Sequence, residues 1–214
     1  PAADVEGFDA AAKAAILASL AFDTSVVAGD VYHEGITRVT QTDIANARRM
    51  GYVIKLLAIA EDYGDDIGVR VHPSLIPADH PLASVRDSFN AIFVEADAVG
   101  DLMFYGRGAG SLPTASAVVG DIVTVARALG GGERPANGWH TTHKPLRPFD
   151  ELILQYYVLL DVADEPGVLA AVAATFGDHE VSIKSVWQEG SGDHAQLLLI
   201  THAARERDGQ ATLH

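Results

Sequence analysis

A Gly/Pro-rich stretch, GGGERPANGWHTTHKPLRP from Gly130 to Pro148, divides the chain into two parts with different apolar periods. Glycine leaves the backbone too free, and proline removes a donor and fixes φ, so neither a helix nor a strand ladder passes through such a run. The chain therefore reads as a first domain over residues 1–130, a linker over 131–149 and a second domain over 150–214. The whole length of 214 residues is enough for one medium and one small core.

The first part opens on an alanine-rich helix, Gly7 to Phe22, with Ile16, Leu17, Leu20 and Ala21 at helical spacing and Asp9 as an N-cap or first-turn acid. Val31 to Val39 holds a short strand or turn. A second helix is expected over Thr40 to Met50, started by capping residues and stopped by Gly51. Short runs rich in Val, Ile and Phe follow: Tyr52–Glu61, Ile67–Ser74, Asn90–Ala96 and Leu102–Tyr105. Turn residues separate them, and the last two are close enough for a hairpin. Helical periodicity returns from Ser111 to Leu129, with Pro113 in the first turn.

In the second part the order is strand (Leu152–Asp161), helix (Pro166–Phe176), strand (Ser182–Gln188) and strand (Ala195–Thr201), with a hairpin turn at Gly190-Ser191-Gly192-Asp193. A further amphipathic helix begins near Ala203. This is β-α-β-β of a ferredoxin-like βαββαβ unit, whose last strand is expected beyond His214. The chain also starts at Pro1 rather than Met, so both ends read as cut from a longer protein.

Composition narrows the chemistry. A net charge of −14 with no basic run argues against nucleic acid and anionic membranes as partners. No apolar run reads as a membrane span and no signal peptide opens the chain, so a cytoplasmic protein is expected. The absence of Cys rules out disulfides, thiolate ligands and a cysteine nucleophile in these residues. His140 and His143 have a spacing suited to zinc but lack a third ligand nearby, and no metal site is assigned.

Three groups of residues are candidates for function. Asp9 and Lys13 stand four apart on one helix and share a face, either as an ordinary surface ion pair or as a lysine held by a carboxylate for proton transfer. Gly106, Gly108 and Gly110 lie between a strand and a helix, where backbone N–H groups approach a ligand or simply turn the chain. Their spacing is not the dinucleotide-binding G-x-G-x-x-G. Asp164 and Gly167 precede a helix, Asp164 as a potential cap and Gly167 as a position open to a small ligand or second chain.

The segments Asp4–Phe22 (DVEGFDAAAKAAILASLAF), His80–Ile92 (HPLASVRDSFNAI) and Asn90–Asp121 (NAIFVEADAVGDLMFYGRGAGSLPTASAVVGD) together resemble homoserine dehydrogenase. DEPGVL from Asp164 and SIKSVWQEG from Ser182 resemble an ACT domain, an amino-acid-sensing module. The resemblance implies an α+β architecture: a mixed β-sheet covered by helices, for substrate binding and dimerisation, followed by an incomplete ferredoxin-like ACT domain. It implies reduction of L-aspartate 4-semialdehyde to L-homoserine with NADP or NAD, bound mainly by an N-terminal nucleotide domain outside this chain. Lys13 matches the family's acid/base lysine, Asp9 the acid beside it, Asp4 the acid that binds the substrate's amino group, and Gly110, helped by Gly108, the turn that approaches the nicotinamide. A further substrate glutamate and a second lysine of the family fall before Pro1. Asp164 and Gly167 match the regulatory loop, with threonine as a possible effector, and a homo-oligomer, at least a dimer, is expected. The competing readings are a sensing module without its own catalysis, or a dimerisation domain with neither ligand.

Overall fold

The computed structural model describes residues 2–131, 143–190, 192 and 195–213. A short helix α1 (Ala2–Val5) turns at Gly7 into α2 (Phe8–Ala21). After β1 (Tyr32–His33) comes α3 (Gln41–Arg49), started by a reciprocal capping box in which Thr40 and Asp43 satisfy each other's backbone N–H groups. Strands β2 (Tyr52–Asp62) and β3 (Ile67–Pro77) form a long antiparallel pair, with β1 parallel to β3 on the other side, in the order β1-β3-β2. Strands β4 (Phe89–Ala96) and β5 (Gly100–Arg107) form the expected hairpin, Phe89 opposite Arg107. It leads into α4 (Ser111–Gly130).

The core of this first part is a helix laid on a sheet. Ala11, Ala14, Ala15 and Ala18 are buried against Ile67, Val69 and Val71 of β3 and against Val31. Spacings of three and four place these alanines in one stripe, and their small side chains let the helix backbone come close to the strand. The larger apolar residues at helical spacing face outward instead, Ile16 and Leu20 each 61% exposed.

The second part is built from β6 (Ile153–Leu154), β7 (Tyr157–Val162), α5 (Val168–Asp178), β8 (Ile183–Glu189), β9 (Ala195–Thr201), β10 (Ala204–Arg205) and α6 (Glu206–Ala211). Its antiparallel sheet has the order β7-β9-β8, the 1-3-2 arrangement of a ferredoxin-like unit. Val158, Phe176, Val181 and Leu199 close its core between sheet and α5. The single strand expected over 152–161 is broken into two, because β6 leaves the sheet to pair with β10.

The end of the Gly/Pro segment does not cross freely. Leu146 bridges to Ile67, the Arg147 guanidinium pairs with Asp66 at 2.7 Å, and Lys144 reaches Asp62 at 2.7 Å. Phe149 stacks on Tyr32 with ring centroids 3.5 Å apart.

One expectation from the sequence fails. Helix α4 is long and apolar enough to cross a membrane by length and composition, and none of it is buried. Small and hydroxylated residues between its valines and isoleucines disguise the run in the sequence.

Candidate active site

The α1–α2 elbow carries the first group of candidates, and close backbone packing holds it. Gly7 adopts φ +85°, which an L side chain resists, and ends α1 so that α2 can begin at once. Gly35 sits under the elbow: a Cβ there would lie 2.3 Å from the Val5 carbonyl oxygen and 2.6 Å from Glu6 Cα. The Ile36 N–H donates to that same carbonyl at 2.8 Å, while the Glu34 N–H donates to Val71 O on β3 at 2.8 Å. Segment 34–36 thus ties the elbow to the sheet and sets where Asp4, Asp9 and Lys13 project.

Asp9 lies in the first turn of α2, and Lys13 Nζ donates to its Oδ2 at 2.6 Å. Both side chains are open to solvent, 46% and 63% exposed, so as an ion pair alone they add only a few tenths of a kcal/mol. Asp4 is exposed on α1. Beside the elbow is a cavity of about 230 Å³, lined by Glu6, Phe8, His33, Glu34 and Arg38 among others; Asp9 and Lys13 do not line it.

Gly108 and Gly110 stand at the junction of β5 and α4, as the sequence placed them. Gly110 has φ +127° and precedes the first turn of α4 without a side-chain cap, leaving backbone N–H groups there open to a ligand. Space at Gly108 is taken by the Asn90 side chain of β4. Among the described residues, no hydrogen bond or ion pair joins this turn to α2.

Asp164 does not cap α5. Gly167, with φ +97°, is the residue preceding the helix, and Asp164 instead accepts a hydrogen bond from Gln188 Nε2 at 3.1 Å. The intervening Pro166-Gly167 turn puts Asp164 too far back to reach the first-turn N–H groups. His140 lies outside the described residues, and among those described no three His, Asp or Glu side chains gather as a metal site.

Two polar clusters escaped sequence reasoning. Arg70 of β3, 5% exposed, pairs with Glu61 of β2 at 2.5 Å, and Tyr63 donates to the same carboxylate. Burial pushes the Glu61 carboxyl up, but the bonds from Arg70 and Tyr63 outweigh it and hold the group below its ordinary value. His72, two residues along β3, is held below its ordinary value mainly by burial. Its Nε2 accepts from Arg70 Nε at 3.3 Å, which suits a neutral ring. The second cluster joins α3 to the second part: Arg49 pairs with Glu189 through its two terminal guanidinium nitrogens, and Tyr157 donates to Asp43. Strand pairing and docking across more than a hundred residues create both clusters, and no local motif announces them.

The structure thus defines an α+β protein of two units, one presenting an acid–lysine helix and a glycine turn, the other a ferredoxin-like sheet. Comparison with known proteins carries this further. Residues 1–123 match the family model described as homoserine dehydrogenase, and residues 156–213 match the ACT domain. A homoserine dehydrogenase of Corynebacterium glutamicum is 50% identical over 100% of this chain and 49% of its own length. One from Mycobacterium tuberculosis is 51% identical over 96% of the chain and 49% of its own length. Among solved structures, a homoserine dehydrogenase from Thiobacillus denitrificans superposes with a TM-score of 0.91 at 37% identity, covering 99% of this chain and 50% of that one. The chain belongs to the homoserine dehydrogenase family. It spans about half the length of the curated relatives it matches.

Proposed function

We propose that this chain is the substrate-side and regulatory half of an NAD(P)-dependent homoserine dehydrogenase, reducing L-aspartate 4-semialdehyde to L-homoserine. The observation that carries the reading is the Asp9–Lys13 pair, joined at 2.6 Å on the elbow that Gly7 and Gly35 position. Asp9 holds the Lys13 ammonium in place, and Lys13 gives a proton to the carbonyl oxygen as it becomes an alkoxide. Asp4 offers a carboxylate to the substrate's α-ammonium. The dinucleotide, when bound, supplies the hydride. Open N–H groups at the start of α4 fit a polar part of that cofactor, with Gly110 and Gly108 keeping side chains out of the approach. Most of the cofactor's contacts are assigned to a nucleotide-binding domain elsewhere in the complete protein, which also covers the bare face of α4. Choice between NADP and NAD rests with that domain.

In this reading residues 1–130 form the catalytic and dimerisation domain, 131–149 the linker and 150–214 the ACT domain, in a cytoplasmic homo-oligomer. Asp164 and Gly167 form the regulatory loop, with threonine as candidate effector. The decisive experiment is Lys13→Ala in the complete enzyme. It should lower kcat by at least about 100-fold with the fold intact, as measured by NADPH oxidation at saturating semialdehyde. Turnover within a few-fold of the parent would overturn the assignment. The openness of Asp9 and Lys13 favours one second reading, a sensing and dimerisation module without chemistry of its own; in that case Lys13→Ala changes nothing.

A further inference from the structure

Helix α2 is fixed at both ends, and only its first end belongs to the elbow. After Ala21 the chain turns through Asp23, whose φ of +48° is the left-handed conformation that Asp tolerates better than most residues. The turn lets the Thr24 N–H donate back to Ser19 O at 3.3 Å. Ser19 Oγ in turn donates to Ala15 O at 2.7 Å and accepts from the Val26 N–H at 3.0 Å. Thr24 is fully buried. Its hydroxyl accepts from the Lys144 N–H at 3.0 Å and donates to the Lys144 carbonyl oxygen at 3.4 Å, across 120 residues of chain.

Lys144 opens a strap that runs beside the start of β3. The Ile67 N–H donates to Pro145 O at 3.1 Å and the Arg147 N–H donates to Ile67 O at 2.8 Å, so both backbone groups of Ile67 are bonded to the strap. Ile67 is itself part of the surface on which the alanine stripe of α2 lies. From outside, the ion pairs to Asp62 and Asp66 hold the strap down, with the Arg147 guanidinium 3.8 Å from the centroid of the Tyr63 ring. One segment thus grips the far end of α2 and the strand beneath it. A 14-residue helix held at its two ends moves as a rod. Lys13 stands six residues from Gly7 and eight from Ala21, about 9 Å and 12 Å along the axis. With the elbow as pivot, a shift of about 1 Å at the far end moves Lys13 by roughly 0.4 Å. Proton transfer tolerates little of this, since misplacement by about 1 Å costs on the order of 100-fold.

We propose that Thr24 is a positioning residue for the reaction: its hydroxyl, clamped to the Lys144 backbone, sets the tilt of α2 and with it the place of the Lys13 ammonium. The proposal rests on the assignment of Lys13 as proton donor, and Thr24 acts only through it. Valine at this position fills the same volume and keeps the burial. It leaves the Lys144 N–H and carbonyl without their partner, so the strap releases the helix.

The test is a double-mutant cycle in the complete enzyme, with kcat and KM for the semialdehyde read by NADPH oxidation well below the melting temperature of each variant. Thr24→Val should lower kcat about 10-fold with KM held within about 2-fold. Thr24→Ser keeps both bonds and should stay within about 2-fold of the parent. In a Lys13→Ala background, Thr24→Val should lower the residual kcat by no more than about 2-fold, because the group it positions is gone. Thr24→Cys keeps the shape with weaker hydrogen bonds and should fall between Ser and Val, so the series stands even if the valine variant does not fold. Three results overturn the proposal alone while Lys13→Ala remains crippled: parent kcat in Thr24→Val, an equal loss in Thr24→Ser, or the same 10-fold loss with and without Lys13. Parent turnover in Lys13→Ala overturns the reading of Lys13 instead, and this proposal with it.

Discussion

Helices α2 and α4 are both apolar, rich in small residues and poor in charge, yet one is half buried and the other is bare. On α2, an alanine stripe lies on β3 and the bulkier Ile16 and Leu20 face outward. On α4, Val118, Val119, Ile122 and Val125 are all more than half exposed. The difference lies in the partner and not in the helix. Antiparallel pairing of β2 and β3 presents α2 with a flat apolar surface, whereas among the described residues none buries any part of α4 as it leaves the hairpin β4–β5. A long helix with no buried residue exposes an apolar face of the kind that marks an interaction surface.

The largest expected break in this contrast comes from adding bulk to the buried stripe. Ala18→Leu places a larger side chain where the parent residue is fully buried, and should destabilise the chain by about 1 to 3 kcal/mol in urea unfolding. The matching change on α4, Ala117→Leu, should stay within about 0.5 kcal/mol. Equal losses in the two would mean that α4 is packed after all. Next in size is the elbow beneath α2. Gly35→Ala forces Val5 and Glu6 to move, and should cost about 1 to 3 kcal/mol while also impairing turnover of the complete enzyme. A change in stability alone would detach the elbow from the site.

A smaller effect concerns the sheet that α2 covers. Burial holds the proton affinity of His72 below its ordinary value and Arg70 adds repulsion, while the bond to the Pro73 carbonyl and the charges of Glu34 and Glu206 only partly offset this. With the folded-state value below the unfolded value near 6.5, stability from this site is present above that pH and is lost as pH falls through it. His72→Gln should therefore flatten the loss of Tm between about pH 7 and 5. An unchanged slope would place the acid sensitivity elsewhere. Smallest of all, Lys13→Ala should alter stability by no more than about 0.5 kcal/mol, since its bond to Asp9 is exposed. Set beside the 100-fold loss of turnover expected of the same variant, this separates a chemical role from a structural one.

Much of this was legible before the structure. The extents of α2, α3, α4 and β9, the β4–β5 hairpin and the pairing of Asp9 with Lys13 all follow from period, caps and spacing. The family resemblance carried by Asp4–Phe22 and by the glycine turn also stands in the comparisons. Other features were invisible. Nothing around Arg49 hints at Glu189, 140 residues away, and nothing local marks Arg70 as a buried, paired residue until β2 brings Glu61 beside it. The apparent cap at Asp164 failed because a left-handed Gly167 comes between it and the helix.

By itself the sequence determined the local order of helix, strand and turn, since side-chain period, capping hydrogen bonds and backbone freedom act over a few residues. It also determined the acid–lysine spacing, because four residues on a helix always share a face. Only the tertiary structure decided which face of α2 is buried, which charges are paired in the sheet, and that the strap from Lys144 clamps the far end of α2. Those outcomes depend on which surfaces, distant along the chain, meet and exclude water from one another.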